Sequence, residues 1–378
     1  MQQVDLLIIG SGPAGLSTAM HLLQSNPSWS QRMLLLEKAA HPRPKLCGGG
    51  VTLLGLRALK DLGFEYPLPI PGAEVDDVRL VYRGRTIHVR NRPMFVVYHR
   101  PQLDAFLADQ ARQKGIVLRE NETATDLAVD SSGVLVETTK ERYRAKVAVG
   151  ADGSNGLTRR LVNGRSSKAR VARLLEVLSP AREDAPHFSR RYALFEFSPV
   201  HQSLQGYFWE FPAWVEGRPV LNCGVYDARL VDRRDRADLP GLLKAGLVPS
   251  KPAEAHSRFQ GHPIHWFSPR SRFAAPRLLL VGDAAGVDPL FGEGIAPALA
   301  YGKLAARAIQ DAFARQDFSF RDYRRRLFAS EVGRYLLLRW CVAWWSYHGC
   351  RSTLFMHGLW TVGNWAARLK SLSPTQPS

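Results

Sequence analysis

The residues with the clearest chemical purpose lie at the start of the chain. Gly10-Ser11-Gly12-Pro13-Ala14-Gly15 places glycines at the first, third and sixth positions of one turn, and Glu37 follows 22 residues after the last of them. The first glycine permits a tight turn, the second leaves no side chain between backbone and a pyrophosphate, and the third lets a helix pack close to a strand. A carboxylate at Glu37 accepts hydrogen bonds from a ribose diol and repels a 2′-phosphate. The pattern therefore predicts FAD or NAD rather than NADP, bound at Gly10, Gly12, Ala14, Gly15 and Glu37.

That chemistry works only inside a βαβ unit, and the neighbouring sequence supplies one. Residues 4–9 form a short apolar run of the kind that becomes a buried parallel strand. Leu16, Ala19, Met20, Leu22 and Leu23 recur at helical spacing, and residues 33–36 make a second apolar strand that ends in Glu37. The helix N-terminus then faces the phosphates. Farther on, residues 93–113 carry a helix pattern, and 116–118, 134–138 and 146–149 read as strands. Between 165 and 270, short β-like runs at 191–197, 206–211 and 220–225 are broken by Pro, Gly and Asp turns, which predicts an antiparallel sheet layer. A buried strand at 277–281 and a long helix at 294–313 follow.

Three glycine motifs stand in order, each after an apolar strand: GSGPAG at 10–15, GADG at 150–153 and VGDAAG at 281–286. In this order they resemble the FAD-dependent oxidoreductase superfamily of para-hydroxybenzoate hydroxylase-type monooxygenases, halogenases and geranylgeranyl reductases, from the N-terminus to about residue 320. The resemblance implies an α/β fold. A Rossmann-type FAD-binding domain, split over 1–70, 95–162 and 272–320, would interleave with an antiparallel-sheet substrate domain at 71–94 and 163–271, and a C-terminal helical segment would occupy 321–378. It also implies that Asp283 bonds the ribityl chain and that Gly292, Gly294 and Ile295 present backbone amides to the flavin. Arg100 would lie near the pyrophosphate, with Ala124 and Asp152 also on the cofactor. Gly156 departs from the pattern, since many relatives carry serine there. A second dinucleotide fingerprint is missing, so the expected electron source is NADPH or another reductant visiting transiently, or an electron-donor protein.

Two segments select a branch. Lys45-Leu46-Cys47-Gly48-Gly49-Gly50 is similar to the K-x-C-G-G-G loop of geranylgeranyl reductases, which assigns Lys45, Cys47, Gly48 and Gly49 to the cofactor. Tyr207-Phe208-Trp209-Glu210-Phe211-Pro212 is similar to that family's Y-x-W-x-F-P motif, which makes Tyr207, Trp209, Phe211 and Pro212 the substrate residues. On a strand, Tyr207, Trp209 and Phe211 share one face. They form either ordinary sheet core or the wall of a cavity for an apolar chain, and the adjoining glycine loop favours the cavity. Cys47 and Tyr207 are the candidate catalytic groups, with an ordered water as the other candidate proton donor, although Cys47 also suits a plain buried position. The reaction implied is reduction of carbon–carbon double bonds in a prenyl (geranylgeranyl-type) chain of a lipid or diphosphate, with hydride from flavin N5. The alternative is an FAD-dependent monooxygenase acting on a hydrophobic or aromatic substrate.

The remaining composition bounds partners and place. There are 51 Lys+Arg against 34 Asp+Glu, a formal charge of +17. Without a zinc finger, an RNP-like strand or a basic heptad array, that charge points away from nucleic acid and toward a prenyl diphosphate or an anionic membrane surface. Part of it lies in Arg159, Arg160, Arg165, Lys168, Arg170 and Arg173, and part in 321–326. Four cysteines, none at CxxC spacing, predict no metal site and a reducing compartment. The chain enters its first strand without a secretory leader, so the expected location is cytoplasmic, or peripheral on the inner face of a membrane. Trp340, Trp344, Trp345, Trp360 and Trp365 crowd the tail, where Arg339, His348 and Arg351 interrupt the apolar run. The tail is either an interfacial helix pair or a cap that completes a substrate tunnel.

Overall fold

A computed structural model describes residues 1–164, 171–247 and 259–372, with side chains to residue 367. Arg165, Lys168 and Arg170 of the first basic run lie outside the described residues. Two eight-stranded sheets divide the work. In the first, Gln2–Ile9 pairs in parallel with Met33–Leu36 on one side and with Arg142–Gly150 on the other. Leu278–Leu280 extends it in parallel beyond Arg142–Gly150. The register matters for function: Ile9 faces both Leu36 and Gly150, and Leu280 also faces Gly150. All three glycine motifs therefore leave the sheet at one carboxyl edge, where α/β sheets bind ligands. Leu6, Leu7 and Ile8 are fully buried, because helices Pro13–Ser25 and Ile295–Arg315 pack with this sheet.

The second sheet runs in the order Gln260–His265, Val171–Pro180, Arg218–Asp227, Gly206–Val215, Tyr192–Glu196, Gly72–Tyr82, Arg85–Tyr98, Gly50–Thr52. It is antiparallel except where Tyr192–Glu196 runs parallel to Gly72–Tyr82. Residues 50–52 and 95–98, expected in the cofactor domain, are hydrogen-bonded into this sheet. Part of the helix predicted at 93–113 is thus corrected: 93–98 is strand, and the helix is Arg100–Gln113. Val96 and Val97 fit a pleated surface, and Pro101 in the first helical turn sets the later start.

Helices Glu331–Gly349 and Thr353–Leu372 lie against this sheet. Tyr347, Met356 and Trp360 join Tyr82, Phe195 and Tyr207 in one buried cluster, and the Trp360 ring lies 5.2 Å from that of Tyr82. Their outer face keeps Leu338, Trp344, Trp345, Leu354 and Trp365 exposed. No helix among the described residues is long and apolar enough to cross a membrane.

Candidate functional site

The dinucleotide strip begins at Gly10, whose φ of +106° is in the left-handed region and where a Cβ would stand 2.3 Å from the Ala151 carbonyl oxygen. At Gly15 a Cβ would lie 2.0 Å from the Gly10 oxygen, so the helix can approach the turn only without a side chain. Glu37, 4% exposed, closes the strip. Its Oε2 accepts from the Ser11 N–H and hydroxyl, each at 3.0 Å, and its Oε1 lies 3.3 Å from Arg43 Nε. Arg100 donates two bonds of 2.9 Å to Asp104. Burial opposes its charge, but the Asp104 carboxylate outweighs burial and holds the guanidinium protonated.

Asp152 accepts from the Thr158 N–H at 2.9 Å and its hydroxyl at 2.6 Å, building the middle turn. A Cβ at Gly156 would fall 2.0 Å from Asp152 Oδ1, which explains why glycine replaces the usual serine. Arg159 donates to the Ala284 carbonyl at 3.0 Å and so ties the middle motif to the third. Asp283 accepts from Ser154 Oγ at 3.3 Å. Helix Ile295–Arg315 opens beside it with Gly294 as its cap, directing its N-terminus into the same space.

The glycine loop is held from below by groups that sequence patterns did not single out. Asn222 donates to the Cys47 carbonyl at 3.1 Å and to Glu176 Oε1 at 3.0 Å, while Trp209 Nε1 donates to Asn222 Oδ1 at 2.9 Å. Burial pushes the Glu176 carboxyl up to about 7, and its Oε2 has no partner. On the loop itself, Lys45 Nζ lies 2.8 Å from His262 Nε2. Burial lowers Lys45 and brings His262 down to about 4, with the Lys45 charge acting in the same direction on the imidazole. A neutral His262 therefore accepts from the Lys45 ammonium. The only advance signal for Glu176 was a lone acid inside the run Leu174-Leu175-Glu176-Val177-Leu178; Asn222 and His262 carried none.

Tyr207, Trp209 and Phe211 do share one face. The Phe195 ring centroid is 5.0 Å from those of both Tyr207 and Phe211, and Phe291 adds a ring 5.8 Å from Tyr207. Three hydroxyls anchor the loop that follows the third motif: Tyr226 donates to Pro289 O at 3.0 Å, Tyr347 to Leu290 O at 2.6 Å, and Tyr207 to Phe291 O. The Tyr207 proton is thus engaged, and burial pushes its phenol well up.

These parts enclose one cavity of about 960 Å³. Of the residues assigned above to cofactor or substrate contact, all but Gly15 and Pro212 line it. Gly15 acts behind the turn. Pro212 is a correction, because strand alternation turns it to the opposite face from Phe211. Arg339, one of the charges that interrupt the apolar run of the tail, lines the cavity from helix Glu331–Gly349, the position that a cap on a substrate tunnel would give it. Arg351 is paired with Asp235 instead. Among the described residues no group of His, Cys, Asp and Glu could hold a metal ion.

A model of the FAD binding domain family matches residues 3–300. The chain is 26% identical over 363 residues to digeranylgeranylglycerophospholipid reductase 1 of Methanothermobacter thermautotrophicus, covering 89% of this chain and 86% of the relative. Among solved structures, a geranylgeranyl bacteriochlorophyll reductase-like protein of Thermoplasma acidophilum superposes with a TM-score of 0.76 at 20% identity, covering 99% of this chain and 92% of the other. PqsL of Pseudomonas aeruginosa, named a probable FAD-dependent monooxygenase, superposes with a TM-score of 0.71 at 19% identity over 95% of this chain and 100% of its own. At such identities the structural likeness shows a shared fold.

Proposed function

The chain belongs to the FAD binding domain family and is an FAD-dependent oxidoreductase, and from that premise we propose that it reduces carbon–carbon double bonds in the prenyl chain of a lipid or diphosphate. The single observation that carries this reading is the continuity of the cavity, in which the aromatic wall of Tyr207, Trp209 and Phe211 and the loop at 45–50 face one space. The family-level similarity to a prenyl-lipid reductase supports it.

The residues present fit FAD. Gly12 leaves backbone open at the strip, since a Cβ there would meet only the Arg43 guanidinium, at 3.7 Å, and Arg43 and Arg100 supply positive charge for a pyrophosphate. Glu37 takes the ribose, Asp283 the ribityl hydroxyls, and the amides at Gly292, Gly294 and Ile295 the flavin pyrimidine. Lys45, Gly48 and Gly49 would hold the flavin from the glycine loop, with Ala14, Ala124 and Asp152 as further residues that would hold the cofactor. FAD held there and reduced by NADPH, another reductant or a donor protein would supply the hydride chemistry for an alkene. The protein must then align the chain, exclude water and deliver a proton to the alkene. The aromatic wall performs the first two tasks. Tyr207 has its hydroxyl committed to Phe291 O, which leaves the Cys47 thiol on the cavity-lining glycine loop and an ordered water as the proton donors, and a Cys47 substitution separates the two. Under strict exclusion of oxygen, geranylgeranyl substrate should reoxidise the reduced flavin; a flavin reoxidised only by oxygen would favour the monooxygenase reading.

A peripheral position on an anionic membrane fits the exposed face of the tail. Trp344, Trp345 and Trp365 are 48%, 53% and 64% exposed, and exposed Arg321, Arg324, Arg325 and Arg334 lie on the adjoining segments. Because the inner side of the same helices closes the core, replacing the exposed tryptophans tests this better than deleting the tail.

A further inference from the structure

Arg339 comes from a helix beyond the residues that match the FAD binding domain family, yet it enters the cavity. Its guanidinium carbon lies 5.1 Å from the Phe291 ring centroid and 5.0 Å from that of Tyr335. Contact with two rings at once holds the group in place by cation–π attraction without using its N–H donors. The two nearby carboxylates are occupied by other donors. Glu293 accepts from the hydroxyls of Thr52 and Tyr335, and the oxygens of Asp288 accept from the N–H groups of Leu290 at 2.7 Å and Phe291 at 3.2 Å. Among the described residues no carboxylate forms an ion pair with Arg339 within 4.0 Å. Burial opposes its charge, but the nearby Asp288 and Glu293 carboxylates outweigh burial and keep it protonated. A charged group held among aromatic rings and lacking a direct ion pair is costly unless a ligand completes it.

We propose that Arg339 is a specificity-determining residue that binds a phosphate oxyanion carried by the substrate in the aromatic cavity. This rests on the reading that the cavity takes the substrate, and it deepens that reading by naming the polar group. A guanidinium edge presents paired donors that match phosphate oxygens, and the flanking Phe291 and Tyr335 rings exclude water from the contact. The shared chemistry is a phosphate oxyanion, whether from a free prenyl diphosphate or from a phospholipid headgroup.

The test titrates the FAD-loaded full-length protein and its Arg339→Gln and Arg339→Lys variants, following flavin absorbance and fluorescence. The probes are geranylgeranyl diphosphate, geranylgeraniol, digeranylgeranyl glycerophosphate and inorganic diphosphate. The wild type should bind geranylgeranyl diphosphate about 10- to 100-fold more tightly than the alcohol, the range expected for a hydrogen-bonded charge. R339Q should bind the two equally, at the wild-type affinity for the alcohol, with R339K between. Whichever phosphorylated probe loses more affinity in R339Q identifies the source of the oxyanion. Inorganic diphosphate should perturb the wild-type flavin and leave that of R339Q unchanged. If neither prenyl compound binds but the diphosphate response is still lost in R339Q, the oxyanion site stands and the prenyl reading falls. Unchanged discrimination in R339Q overturns the proposal, as does loss of FAD from R339Q with discrimination intact, which would assign the guanidinium to the cofactor.

Discussion

Replacing Glu176 by glutamine should stabilise the protein in alkaline solution and leave it almost unchanged in acid. An ordinary glutamate titrates at 4.5, whereas burial pushes this one up to about 7. Between those pH values the unfolded chain releases a proton that the folded chain retains. Stability is therefore greatest below pH 4.5, falls as pH rises toward 7, and is level above that. At about 1.36 kcal/mol per pH unit, the loss across the window is about 3 kcal/mol. The residue is 8% exposed, so solvent screening removes little of this. In Glu176→Gln the amide oxygen can still accept from Asn222, and the amide nitrogen takes the place of the unpartnered Oε2. The variant should match the wild type at pH 5 to within about 1 kcal/mol and exceed it at pH 8 by about 2–3 kcal/mol. Urea midpoints read by tryptophan fluorescence, both proteins saturated with FAD, measure this at each pH. A variant that is less stable by the same amount at every pH would refute the reasoning, because Glu176 would then be ionised and well paired throughout.

Other substitutions probe other parts of the site. Gly10→Ala, whose Cβ would meet the Ala151 oxygen at 2.3 Å, should yield a folded but colourless protein, read by circular dichroism and by flavin absorbance. Cys47→Ala should retain FAD and bind the prenyl chain, yet lose about 10²- to 10⁴-fold in turnover, the range for removing a positioned proton donor; unaltered turnover would transfer that role to water. Trp209→Phe leaves Asn222 Oδ1 without its donor and should cost about 1–3 kcal/mol in urea denaturation. The pair Trp344→Ser and Trp345→Ser should weaken sedimentation with anionic vesicles without changing the melting temperature, since both side chains are exposed.

The cofactor half of the molecule was legible in the sequence because its constraints are local. A glycine with φ of +106° and an acid at the end of the next strand leave their marks within 40 residues, and the strand registers then bring the three motifs to one edge. The aromatic wall was legible for the same reason, as strand alternation alone puts Tyr207, Trp209 and Phe211 together. Contacts made across the fold were not. Glu176 and Asn222 lie on neighbouring strands of the second sheet and act on Cys47, which is far from both in the chain. The side that Arg339 faces was not legible, because a charge within an apolar helix looks alike whether it faces lipid or a cavity. The strand at 93–98 was missed because its pairing partners at 50–52 and 72–75 lie well before it in sequence.

The central claim is tested most directly by the mass of the product. Full-length protein loaded with FAD and reduced by dithionite without oxygen should convert geranylgeranyl diphosphate or a geranylgeranyl lipid into species heavier by one molecule of hydrogen per double bond. A product that has gained an oxygen atom when air is admitted, with no hydrogenated species before it, would contradict the account.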